Sequence, residues 1–136
     1  MNNRDIVRQE DILVSNRRLQ RHIYNINLYR YINQLHDTLD MQLQNFISDI
    51  SDNIYHTIDF LHGQLEFAIQ FWHYYRESII QDVSIYNITN RYFYLIQKSF
   101  EKIINIHCDE SYVYYLYEKS IQLYNSMSSS SPQAIY

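Results

Sequence analysis

Seven residues, Asp52, His56, Asp59, His62, Glu66, His73 and Glu77, set carboxylates and imidazoles at near-helical spacing. At about 100° per residue they share one arc of a helix. Asp59 with His62, and His62 with Glu66, stand three and four residues apart, the spacing that lets two ligands on one helix reach one metal ion. A metal centre inside a bundle needs inward ligands from several helices, commonly a Glu-x-x-His pair contributed twice. The chain contains no Glu-x-x-His, and its other acids, such as Glu101 and Glu118, are scattered. The stripe therefore reads as a solvated helix face with local Asp/His and Glu/His pairs, and no metal or cofactor is expected.

Other catalytic arrangements are weaker still. The single cysteine, Cys108, follows His107 directly. A reactive thiol needs an imidazole that meets it in space, which adjacency in sequence does not supply. Ser128 to Ser131 lie in a Ser-rich stretch without an elbow glycine. Asn87-Ile88-Thr89 matches a glycosylation acceptor but reads as a turn and helix cap. No catalytic residue is expected, and the protein reads as a non-enzyme.

Two constellations suit binding. Arg17, Arg18 and Arg21, with Tyr24, Tyr29, Arg30 and Tyr31 close behind, could contact phosphates through guanidinium forks and bases through tyrosine rings. Phe60, Phe67, Phe71 and Tyr74 lie beside a main apolar stripe, so that the apolar arc there widens to roughly 200°, more than one bundle face requires. With Tyr114 and Tyr117 they are the candidate interface residues, since tyrosine suits a surface where the ring packs and the hydroxyl stays wet.

These residues are positioned by helices. From Leu35 to Trp72 the apolar positions Leu35, Leu39, Leu43, Phe46, Ile50, Ile54, Ile58, Leu61, Leu65, Ile69 and Trp72 recur every ~3.7 residues, close to the helical period. A continuous helix from about Asn33 to Ile80 would be roughly 70 Å long, against ~40 Å for a compact globule of this size. Ser48 to Asn53 is the best place for a break and His62-Gly63 a weaker one, yet the apolar phase passes through both, which favours a long, bent central helix. Upstream, Ile12, Leu19, Ile23 and Ile26 mark a first helix. The phase then slips by two before Leu28, Ile32 and Leu35, and Tyr24 to Leu28 alternates as a strand would, so a hinge is expected there. A third helix is expected from Thr89 or Asn90 to about His107, and a fourth from Asp109 or Ser111 that groups Val113, Leu116, Tyr117, Ile121 and Tyr124. From Ser126 the chain has nothing to bury.

The fold class is thus all-α, an elongated bundle of about four helices with a long central helix. It forms one helical domain over 1–126, with a basic arm at 1–31 and a Ser-rich tail at 127–136. One Gly and one Pro in 136 residues exclude Gly-rich phosphate loops and hairpin-rich sheets, and 15 Tyr sit in a chain of net charge −4. The charge is uneven: residues 1–30 carry six arginines against three acids, and residues 31–68 carry six acids and no Lys or Arg. That asymmetry suits head-to-tail self-association, or a basic arm that meets an acidic partner. No signal peptide or membrane span is visible, so an intracellular or virion location is expected. Scarce Ala, Gly and Pro beside plentiful Ile, Asn and Tyr is what AT-rich coding produces, and it points to a virus or other mobile element. The expected function is a protein-interaction and assembly subunit, oligomeric and structural. Its alternatives are a coat-like protein contacting nucleic acid through Arg17, Arg18 and Arg21, and a small helical inhibitor of a host or defence protein.

Overall fold

A computed structural model describes residues 3–47, 50–107 and 111–130. They form four helices, α1 (Asn3–Ile47), α2 (Ile50–Ile80), α3 (Val83–His107) and α4 (Ser111–Ser128), with no strand among the described residues. The all-α bundle of four helices read from the sequence is the observed architecture, although its long helix lies elsewhere.

Helix α1 ends at Ile47 and α2 starts at Ile50 and runs back along it, so no helix runs from Asn33 to Ile80. The reversal is plain from Tyr31, whose ring centroid lies 6.2 Å from that of Phe67 and 6.4 Å from that of Phe71. An unbroken apolar period recorded only that both segments bury a face, and those faces belong to two antiparallel helices. The longest helix is α1, 45 residues and therefore ~67 Å. It passes through Tyr24 to Leu28 without a hinge. The strand-like alternation there is the overlap of two helical stripes: Ile26 is exposed and Leu28 is buried.

Asp82 makes the next turn. Its carboxylate accepts from the Ile85 amide at 3.1 Å and its carbonyl from the Tyr86 amide at 2.9 Å, which is an N-cap at the start of α3. The helix expected from Thr89 or Asn90 therefore starts six or seven residues earlier, at Val83. Thr89 is instead buried within α3, donating its hydroxyl to the Ile85 carbonyl at 2.7 Å.

Contacts along the chain give an up-down-up-down order. Asn25 of α1 donates to Asp82 at the start of α3 across 3.4 Å, and α1 carries its buried residues after that point and is exposed before it while packing closely on α3, so these two helices run parallel. His62 meets Tyr112, and Trp72 meets Ser126, so α2 and α4 also run parallel. Helix α3 packs closely on the other three and holds the largest buried side chains, Tyr92, Phe93, Ile96 and Phe100 among them. The wide apolar arc of α2 follows from its neighbours, since it packs against α1, α3 and α4.

In α4 the buried row is Val113, Leu116, Ser120, Leu123 and Met127. Tyr117, Ile121 and Tyr124 are only partly buried. The end of α4 is also packed: Met127 is fully buried, Trp72 Nε1 donates to Ser126 Oγ at 3.3 Å, and the Tyr86 hydroxyl donates to the Met127 carbonyl at 3.2 Å. Residues 126–130 thus belong to the bundle, which corrects the reading of a tail from Ser126; 131–136 lie outside the described residues.

Candidate interaction surface

The parallel pairing of α1 with α3 fixes where the basic arm goes. Asn25 is level with the α2–α3 turn, so α1 residues before about His22 run past the end of the bundle. Every residue from Gln9 to Tyr24 is exposed. Ile12 is 54% exposed, Leu19 56% and Ile23 49%, alongside exposed Leu13 and Val14. By contrast Leu28, Ile32 and Leu39, farther along the same helix, are buried in the core, and Leu35 and Leu43 pack against it.

The two halves of α1 are apolar on opposite sides. At 100° per residue the mean direction of Ile12, Leu19, Ile23 and Ile26 lies roughly 180° from that of Leu28, Ile32, Leu35 and Leu39. The phase slip in the sequence is this change of side. Arg17, Arg18 and Arg21 are exposed with Val14 on the side away from the Ile/Leu row, and together they line a shallow surface depression. The arm therefore has an apolar side and a guanidinium side, and the phosphate-contact candidates share one face.

The aromatic candidates fare differently. Tyr31 of α1 meets Phe67 edge-on and lies tilted against Phe71, and Tyr75, one turn on along α2, has its centroid 4.8 Å from that of Phe71. Phe60 and Tyr117 pack against the core. Tyr74, 78% exposed, and Tyr114 remain at the surface, but the parallel course of α2 and α4 sets them toward opposite ends of the bundle. The six side chains do not converge on one surface. Sequence reasoning placed Ile12, Leu19, Ile23 and Ile26 on a helix and did not name them as surface residues; the signal was the phase slip.

The polar stripe of α2 becomes a clasp to α4. The Tyr112 hydroxyl lies 2.8 Å from His62 Nδ1, His62 Nε2 is 3.5 Å from Glu66 Oε1, and Lys119 Nζ is 3.9 Å from the same carboxylate oxygen. The Lys119 ammonium also lies 4.9 Å from the Tyr115 ring centroid, and it is held above its ordinary pKa, first by hydrogen bonding to Tyr115. Among the described residues no three His, Cys, Asp or Glu side chains converge as metal ligands. Asp52 and Cys108 lie outside the described side chains.

A groove of about 580 Å³ opens between α1 and the first turns of α3, lined by His22, Ile26, Tyr29, Arg30, Ile88 and Arg91 among others. Ile26 belongs both to this groove and to the arm's apolar row. Among the described residues no helix is long and apolar enough to cross a membrane. No known protein family, curated protein or solved structure matches this chain.

Proposed function

We propose that this protein is a non-enzymatic interaction and assembly subunit, working as an oligomer through its helical arm. The observation that carries this reading is the row of half-exposed Ile12, Leu19 and Ile23 on a helix that continues beyond its own bundle. Apolar surface left in water costs about 25 cal/mol per Å², and contiguous exposed patches mark interaction sites. The bundle already has a closed core in which α3 is covered by three neighbours, so the row adds nothing to that core. Association covers it. A viral structural role is the setting most in keeping with the chain's composition.

The test is the solution mass of the untagged protein by light scattering after size exclusion, at low and high salt, with absorbance at 260 and 280 nm. A discrete oligomer is expected at both salts. A monomer at every concentration and salt would overturn the assembly reading.

A second reading rests on the other side of the arm, where Arg17, Arg18 and Arg21 are exposed together. If that face binds nucleic acid, a 260 nm signal should co-elute at low salt and leave at high salt, because phosphate contacts release counterions. Arg17→Ala combined with Arg18→Ala should then weaken binding across sequences. Salt-independent or absent binding removes this reading without touching the first.

A further inference from the structure

The exposed row has a spacing that identifies its occupant. Ile12, Asn16, Leu19, Ile23 and Ile26 follow one another by four, three, four and three residues, the seam of a left-handed coiled coil. We propose that this seam pairs with the same seam of a second copy of the chain, parallel and in register. The inference rests on the assembly reading above and names its partner and geometry.

Three observations favour a second copy. First, the mean direction of the seam lies roughly 180° from the face α1 gives its own bundle, and from Ile12 to Ile23 every residue is exposed, so two arms can pair there with the two bundles on the outside. Second, the seam carries no charge, and Arg17, Arg18 and Arg21 lie away from it, so like arms meet without opposing guanidiniums. Third, its one polar residue, Asn16, takes an a position between Ile12 and Leu19 at d. In a parallel, in-register pair the two Asn16 amides hydrogen-bond each other, which selects register and partner number at some cost in stability. An antiparallel pair would set each Asn16 against apolar or unrelated side chains and leave its amide unpaired. The seam also has an end: past Ile26 the same side of α1 presents Arg30 and Asp37, which would face their own like charges. The paired stretch is therefore about two heptads, short for an isolated coiled coil. Here each strand is already a helix, nucleated by the bundle below it.

The experiment is sedimentation velocity of the full chain over a hundredfold range of concentration, with Leu19→Glu combined with Ile23→Glu as the disrupting variant. Both positions are about half exposed, so the variant keeps its fold, which circular dichroism melting at low concentration verifies. Wild-type protein should move from the 16.7 kDa monomer to twice that mass, and the variant should stay monomeric at every concentration. Asn16→Val should tighten self-association at least tenfold. Asn16→Cys in a Cys108→Ser background should form a disulfide-linked dimer on mild oxidation, as in-register a positions allow. An oligomer that survives the double Glu substitution overturns arm pairing while leaving the assembly reading standing. A wild-type monomer throughout overturns both. Crosslinking of Ile12→Cys to Ile26→Cys in place of the Asn16→Cys pair overturns the parallel register.

Discussion

Residues 9–24 and residues 28–43 belong to one continuous helix and have little else in common. The second stretch buries Leu28, Ile32 and Leu39 against α2 and α3. The first has an equally regular apolar row and leaves all of it in water. Helix formation alone does not require tertiary cover once a nucleus exists, and the bundle supplies that nucleus. Amphipathicity in a helix therefore declares that a face is to be covered, without saying by which chain.

The widest separation should appear in amide exchange. At concentrations below self-association, amides of residues 9–22 should exchange within a few orders of magnitude of free peptide, while those of 28–43 approach the protection of global unfolding. Equal protection in both halves would erase the contrast. Substitution sharpens it next. Phe100→Ala, at a fully buried site on α3, should cost about 3–5 kcal/mol of unfolding free energy, whereas Leu19→Ala should change it by less than about 0.5 kcal/mol, both from urea titration of the monomer. A large loss at Leu19 would mean that the arm folds onto its own bundle.

Tyr92 probes the bundle half through pH. Its hydroxyl donates to Gln64 Oε1 at 2.5 Å, and burial, with Tyr31 adding a smaller push, raises its pKa well above the ordinary 10. The neutral form is thus preferred in the folded state. The stabilisation is complete below about pH 10, where an unfolded tyrosine ionises, and is lost as pH climbs toward the folded value. Tyr92→Phe should cost about 1 kcal/mol at neutral pH and flatten the alkaline loss of stability above pH 10, read from thermal melts at pH 9 to 11.5. A small gain is expected at Gly63, exposed in the middle of α2, where an added methyl meets nothing within 4 Å. Gly63→Ala should stabilise the fold by about 0.5–1 kcal/mol through backbone entropy alone, and a loss would show an unseen close approach.

Much of this was legible from residue types. Helical periodicity and the connection before Ser111 foretold an all-α chain of about four helices, while the unbroken period from Leu35 to Trp72 hid the break after Ile47 and the start of α3 was expected at Thr89 or Asn90. The stripe from Asp59 to Glu66 read as a local polar face, and His62 and Glu66 do pair, but the reach of Tyr112 and Lys119 from α4 was invisible. Partners fifty residues away leave no mark on spacing. Phe67 and Phe71 read as interface aromatics because their arc exceeded one face; Tyr31 of α1 lies against both, with Phe71 buried and Phe67 partly buried, a contact that spacing alone does not reveal. Ser120 was passed over as a core position because its type is polar. Inside the bundle its hydroxyl is satisfied by the Tyr117 carbonyl at 2.6 Å.

The sequence by itself determined that these segments are helices and which side of each is apolar, because a 100° turn per residue is a local property that every side chain inherits from its neighbours. It also carried the reversal of apolar side near Ile26, recorded as a slip of two residues. Only the tertiary structure decided where the chain folds back, which made one long apolar stripe into two facing helices. Only it decided which rows are covered, since cover depends on what distant segments can reach. None of the described helices reaches the row from Ile12 to Ile23.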